Sequence, residues 1–449
     1  MTLKHIKLIC SCALGLIAFH YSGSVVLAQS SPEPVFYAQS QFENESTDIS
    51  YQRAIRSLSS GNYSQAQLLL ERITVDVPQH AGAWLDLALL HCQLGEVEKA
   101  ELIYQRIEQD LQTPASILQV INKMRSQGCK FELKWIKQAH AGLGHSSNVN
   151  FAPSDGVIRF AGTAPFSELI LSPGNRPRSD HFILAEMQTL LPANLKNVWG
   201  AQWQGLLQYK KYQQESDQNI LTLAIGARWS GFLGPLLKNS DSLTSPESWE
   251  AGFQFNRTHI GSTPYENSLF AWATLWSKEQ QEWLESKRNW RWGAEWNLSH
   301  YQYLQSSNYD ALRFDFKLRQ QWKLQTKHAL HLFGFSLGPA LDRAQSDRPG
   351  GDRYGYTGLI EWDARWHPQH QTVAYLQHQS LKDKAPYNTT FFGSQARLPK
   401  STLIVLRQNY RISLEHQIYA QYSRQITKDT INLFSYENQS FILGYSWLF

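Results

Sequence analysis

Leu312, Phe314, Phe316 and Leu318 alternate without interruption with Arg313, Asp315, Lys317 and Arg319. A strand turns successive side chains to opposite faces, so one face of this stretch is wholly apolar and the other wholly charged. One side must be wet and the other covered by something apolar. Similar ladders recur at Trp199, Ala201, Trp203, Leu207 and Tyr209, at Leu221, Leu223, Ile225, Ala227 and Trp229, and at Trp290, Trp292, Ala294, Trp296 and Leu298. The same holds for Trp249, Ala251, Phe253 and Phe255, and for Tyr354, Tyr356, Ile360, Trp362, Ala364 and Trp366. Their opposite faces carry Gln202, Gln204, Arg228, Glu250, Gln254, Arg291, Glu295, Glu361, Asp363 and Arg365.

The chain holds 16 Trp, 20 Tyr and 21 Phe, yet its mean hydropathy is −0.42. That combination arises when lipid-facing apolar residues alternate with polar lumen residues, so that no window averages as hydrophobic. The last stretch shows the pattern most cleanly: Phe441, Leu443, Tyr445, Trp447 and Phe449 share one face, with Ser440, Gly444 and Ser446 on the other. An exposed edge strand of this kind recruits partners unless the sheet closes on itself in lipid. A terminal Phe with aromatics at alternate positions before it also resembles the signal by which bacterial outer-membrane barrels are delivered for insertion, so Phe441, Tyr445, Trp447 and Phe449 are the expected insertion signal. The expected fold is α+β and multidomain: a short α-helical repeat module followed, over 131–449, by a transmembrane antiparallel barrel of about fourteen strands.

Connection lengths give an independent check. If both ends lie on one side of the membrane, the connections after odd strands share the far side and include the longest, 144–180, 340–351 and 382–400. Those at 192–197, 324–326, 367–370 and 412–414 are short. This asymmetry is that of outer-membrane barrels. The connection 144–180 also carries Phe160, Phe166, Leu169, Ile170 and Leu171, an apolar set expected to fold over or into the pore or to meet a partner.

At the other end, Lys4, His5 and Lys7 precede the apolar run Leu8–Phe19, and Val26-Leu27-Ala28 precedes Gln29, so residues 1–28 read as a secretory signal. Residues 29–46 are rich in Ser, Pro, Gln and Glu without periodicity and read as a flexible leader. A repeat follows within 47–130. Gly61, Tyr63, Ala66 and Leu70 are matched 34 positions on by Gly95, Val97, Ala100 and Tyr104, and Pro78 closes the first unit. Trp84, Leu87 and Ala88 stand where a tetratricopeptide repeat packs its first helix. Two such repeats, about 47–80 and 81–114, with a closing helix at 115–126, are expected. Trp84, His91 and Tyr104 are the candidates for touching a client on this periplasmic module. Cys92 and Cys129 remain after the signal; they could pair in an oxidising periplasm, or Cys92 could simply pack between helices.

No catalytic, cofactor-binding or metal-binding set is expected. His328, His331, His367, His370 and His378 lack the Gly-x-Ser-x-Gly companion of a lipase, no compact Cys/His cluster occurs, and Gly350-Gly351 reads as a turn. A net charge of +4 gives no basis for a nucleic-acid partner. The lumen charges Arg291, Glu295, Arg313, Asp315, Lys317, Arg319, Glu361, Asp363 and Arg365 mix both signs, which suits salt-bridged walls or a hydrated route for polypeptide.

The stretch Gly144-His145-Ser146-Ser147-Asn148-Val149-Asn150 resembles the Ser-Asn-x-Asn segment that opens the barrel of surface lipoprotein assembly modulators. Asp347-Arg348-Pro349-Gly350-Gly351-Asp352-Arg353, Asn432-Leu433-Phe434 and the last six residues are similar to that family's late barrel. His145 stands where an acidic residue is usual, and the repeat module is shorter than in the lipoprotein-specific members. The resemblance implies a periplasmic repeat module and an outer-membrane barrel that translocates or displays a lipoprotein or secreted protein at the cell surface. Its motif residues here are Ser147, Asn148 and Asn150, and its partners would be membrane lipid, a protein client encoded nearby and the barrel-assembly machinery. The alternative is an exporter or porin for polysaccharide or small solutes.

Overall fold

A computed structural model describes residues 50–449 apart from 52, 53, 56, 59–62, 112, 114, 127, 129–135, 164–166, 192–200, 233–245, 278–279, 282–287, 327–328, 368 and 414. The expected signal and leader, Gly61, Cys129, Phe166, His328 and the connection 192–197 lie outside the described residues.

After a helical stretch among the described residues of 50–58 come four further helices: α1 (Tyr63–Asp76), α2 (Ala81–Leu94), α3 (Val97–Asp110) and α4 (Ala115–Ser126). They end where local chemistry says they must. Pro78 follows α1, and Gly95 takes φ 79° after α2, in the left-handed region that only glycine enters freely, so that its N–H reaches back to the Cys92 carbonyl. Ala54, Ala66, Ala83, Ala88 and Ala100 are fully buried, which is how close helix crossings use alanine. Cys92 is disulfide-bonded.

Fourteen long strands then run antiparallel, each paired with the next. They are β1 (Ile136–Ser146), β2 (Asp180–Leu191), β3 (Gln202–Tyr212), β4 (Ile220–Phe232), β5 (Pro246–Ile260), β6 (Thr263–Ser277) and β7 (Arg288–Tyr303). The rest are β8 (Ala311–Gln325), β9 (Leu330–Ala344), β10 (Arg353–His367), β11 (His370–Asp383), β12 (Lys400–Arg411), β13 (His416–Lys428) and β14 (Tyr436–Leu448). β14 pairs with β1, from Gln138 opposite Leu448 to Ser146 opposite Ser440, and the sheet is a closed barrel. An even strand count returns both barrel ends to one rim, the terminal rim. The other is called the far rim below.

The outer surface explains the aromatic content. Leu143, Ile183, Leu207, Ile225, Leu298, Leu318, Leu337, Ile360, Leu406 and Leu443 stand exposed around the barrel's waist. Trp203, Trp292, Trp322, Trp366 and Trp447 are exposed at the terminal rim, and Tyr209, Tyr354 and Tyr356 toward the far rim. An apolar band between two aromatic girdles, on a sheet with no free edge, is a surface made for a bilayer. No helix among the described residues is long and apolar enough to cross a membrane. β9 runs to Ala344, five residues past the sequence expectation, because Leu341 and Arg343 continue its outward face.

Candidate functional site

The long connections at the far rim are not separate loops. Ile158 and Leu171 of the β1–β2 connection, Tyr387 and Phe392 of the β11–β12 connection, and Ile431, Leu433 and Phe434 of the β13–β14 connection form one buried apolar cluster, with Phe160, Leu169 and Phe391 against it. A two-stranded hairpin, Val157–Arg159 with Glu168–Ile170, presents the first of these groups. Gly162 is required where it stands: a Cβ there would lie 2.3 Å from the Thr390 carbonyl oxygen. Of the apolar set picked from the sequence, Phe160, Leu169 and Leu171 join the cluster, while Ile170 points outward.

Polar groups lock this cap. Arg397 bonds Asp429 at 2.9 Å and lies 3.6 Å over the Phe434 ring. Arg348 pairs with Asp342 at 2.9 Å and Arg353 with Asp383 at 2.7 Å, all four side chains buried. Gly350, at φ 85°, lets the turn lie against Asp383. Asp155 accepts the Val157 N–H and also meets Asn432 and Arg159, which hold its carboxyl below the usual range.

The Ser-Asn-x-Asn stretch is the hinge pin between cap and barrel. Asn148 is buried; its Nδ2 donates to the Ala152 carbonyl at 2.9 Å and the Glu437 carbonyl at 3.0 Å, while its Oδ1 accepts the Ala152 N–H at 3.0 Å. Its own N–H donates to Asn438 Oδ1 at 3.0 Å, to which Ser146 Oγ also donates. Ser147 Oγ accepts the Gln439 N–H at 2.8 Å. Asn150 ties the other end of the connection by donating to the Arg176 carbonyl and accepting from the Arg178 N–H. These residues position backbone across the β1–β14 seam.

Inside the barrel the mixed charges pair. Glu295 receives Lys317 at 3.0 Å and Arg319 at 2.5 Å, and Arg319 reaches on to Glu361 at 3.5 Å. Arg313 grips Asp315 at 2.8 Å and extends to Gln379. Arg291 donates to Gln321 and lies 4.1 Å over the Trp276 ring; Asp363 accepts from Gln371. Arg365 is half-buried on the same face. Toward the far rim, inward-facing Asn256, Thr258 and Glu266 are completely buried, whereas Gln188, Gln202, Arg291 and Gln321 toward the terminal rim are half-buried. At these positions the inward face is packed more closely toward the far rim than toward the terminal rim.

The helical candidates require correction. Trp84, His91 and Tyr104 are buried within the module and do not face outward. Trp84 Nε1 donates to the Pro78 carbonyl, His91 Nδ1 meets Glu96 at 2.6 Å, and the Tyr104 hydroxyl sits 3.3 Å from Cys92 Sγ. Burial raises the Tyr104 hydroxyl to about 12. The exposed apolar residues are Leu68 and Val75 on α1 and Val97 and Leu102 on α3. The signal that separates them is phase: Trp84 and Tyr104 share the periodicity of the buried alanines, and Leu68, Val75 and Leu102 do not.

Residues 57–121 match the tetratricopeptide repeat family. No curated protein sequence matches the chain. Among solved structures, OmpT of Vibrio cholerae is similar over 71% of this chain and 99% of its own, at 8% identity and a TM-score of 0.32. The channel DcaP of Acinetobacter baumannii is similar over 70% and 96%, at 8% identity and 0.33. CdiB from the same organism is similar over 69% and 60%, at 7% identity and 0.34. At these scores the likenesses carry no weight beside the geometry. Strand closure, the apolar band and the two girdles define the class: a transmembrane β-barrel of outer-membrane type, preceded by tetratricopeptide-like helices.

Proposed function

We propose that this barrel stands in the bacterial outer membrane with its helical repeats in the periplasm, and that it translocates or displays a specific protein client at the cell surface. The observation that carries the reading is the cap. A far rim on which three connections share one apolar core suits a conduit whose mouth is gated for one cargo better than a passive pore. The paired, mixed-sign lumen leaves little net field along the path, which suits a polypeptide of variable charge. Leu68, Val75 and Leu102 on the repeats are the surface apolar groups offered to a client. The chain acts here as a transporter and not as an enzyme, with membrane lipid, the client and the barrel-assembly machinery as its partners.

A second reading, export of a polysaccharide or small solute, is favoured by the amide-rich wall of Gln202, Gln204, Gln208 and Gln254, where Gln204 donates to Gln254 at 3.2 Å. One experiment separates them. Replacing residues 157–171 with a short Gly-Ser linker removes Ile158, Phe160, Leu169 and Leu171 from the cap and leaves Asn148, Asn150 and Arg176 in place. The expected result is a normally inserted barrel with raised conductance in planar bilayers and loss of one or a few proteins from the protease-accessible surface proteome. An unchanged surface proteome with loss of cell-surface polysaccharide would replace the first reading with the second.

A further inference from the structure

Glu266 opens β6 on its inward face and is completely buried. Neither carboxylate oxygen has a well-formed hydrogen bond, although the Ser268 hydroxyl is close by, and among the described residues no Lys, Arg or His acts on it. Directly across the ladder on β5 is Thr258, also completely buried, whose Oγ1 is likewise without a partner. One step further in, Asn256 faces Ser268; Asn256 Nδ2 donates to Ser268 Oγ at 3.4 Å and its Oδ1 accepts from Gln254 at 2.5 Å. The Ser268 hydroxyl and, across the other ladder, the phenols of Tyr303 and Tyr301 are the polar neighbours of the carboxylate. The guanidinium that lines the same end of the lumen, Arg313, is already committed to Asp315 and Gln379.

An uncompensated buried carboxylate is among the costliest arrangements a protein can hold, and it persists only where the group takes up a proton or a counter-charge sits against it. The neighbourhood supplies oxygen donors and no nitrogen cation, which is the chemistry of a hard ion. A single carboxylate also sets the charge: one positive charge neutralises it, while a divalent ion would leave an excess among fully buried side chains, and calcium sites draw on several carboxylates. Full burial excludes a peptide amine as the occupant.

We propose that Glu266 and Thr258, with Ser268 beside them, form an internal site for a hard monovalent cation of the sodium class, which holds the far half of the lumen together. The site is independent of what the barrel transports. Its ligands are one carboxylate and hydroxyl oxygens, with no Cys or His among them.

The test uses the full chain purified in detergent, with its barrel melting followed by heat-modifiable migration and circular dichroism. Sodium chloride is exchanged for choline chloride at constant ionic strength. The wild type should melt several degrees higher in sodium, and Glu266→Gln, which keeps the shape and removes the charge, should lose that dependence. Thr258→Val should weaken the apparent sodium affinity severalfold while leaving the carboxylate in place. Line broadening of the sodium-23 resonance by the wild type supplies a readout that needs no variant. Sodium-insensitive melting of the wild type, the same sodium dependence in Glu266→Gln, or a response to calcium alone would each overturn the assignment. A midpoint that ignores sodium and climbs only as pH falls, in wild type but not in Glu266→Gln, would mark a protonated carboxyl and overturn it as well.

Discussion

Asn148→Ala is the sharpest perturbation of the cap. The substitution leaves the Ala152 N–H, the Ala152 carbonyl and the Glu437 carbonyl without the partners they have now at 3.0, 2.9 and 3.0 Å. Each backbone group deprived of its partner while buried costs about 1–3 kcal/mol. Three such groups at the lower bound give about 3 kcal/mol, or roughly a hundredfold increase in the open population of the cap, since about 1.4 kcal/mol is tenfold. The barrel itself should be untouched, because the β1–β14 ladder from Gln138 to Ser146 uses backbone groups that Asn148 does not contact. The assay is amide hydrogen exchange across residues 157–171 in the detergent-solubilised protein, with single-channel conductance alongside. Protection of the hairpin should fall about a hundredfold and long-lived openings should appear. Asn148→Asp should do no better, since it keeps the acceptor and loses both Nδ2 donors. Wild-type protection in Asn148→Ala would refute the claim that this side chain holds the cap.

Two further outcomes follow from the same geometry. Leu443→Arg places a charge on the lipid face at mid-strand and should cost about 2–4 kcal/mol of insertion free energy, whereas Trp447→Arg at the terminal rim should cost about 0–1 kcal/mol; heat-modifiable migration after membrane fractionation compares them, and equal effects would contradict the girdle assignment. In the helical module, Arg125 contacts Glu101 and Glu108 at 2.7 Å each, and its hydrogen bonds hold the Glu101 carboxyl below its ordinary value of 4.5. A depressed carboxylate contributes stability above its unfolded pKa and loses it as pH falls through the folded value. Arg125→Met should therefore lower the helical melting midpoint at neutral pH, with the gap to wild type closing below about pH 4; a gap that persists in acid would point to lost packing instead.

The barrel was legible because each strand writes its environment into its own alternation. Leu312 to Arg319 needs no distant residue to declare which face is wet. The cap was only half legible: Phe160 and Leu169 stood out as too apolar for a solvated connection, but their partners Phe392, Ile431 and Phe434 lie more than 200 positions away and share no period with them. The helical candidates failed for a related reason. Large aromatic residues at repeat spacing are what the core of such a module needs, and the exposed Leu68 and Leu102 look unremarkable beside Trp84 and Tyr104. Glu266 was hidden altogether, since inward carboxylates such as Glu295 and Glu361 do find cations and nothing in the local pattern sets this one apart.

The bonds between Asn148 and the start of β14 also impose an order of events. Glu437 and Asn438 belong to the last strand of the chain, 289 and 290 positions after the residue they hold. The first connection is synthesised early, yet its anchor does not exist until the final strand has docked beside the first, and a contact so distant along the chain carries the full loop-closure entropy until then. An unfinished barrel consequently has a loose first connection. Closure of the seam adds the groups that hold the hairpin down beside Phe392 and Phe434, so the cap is completed last and a completed cap reports a completed wall.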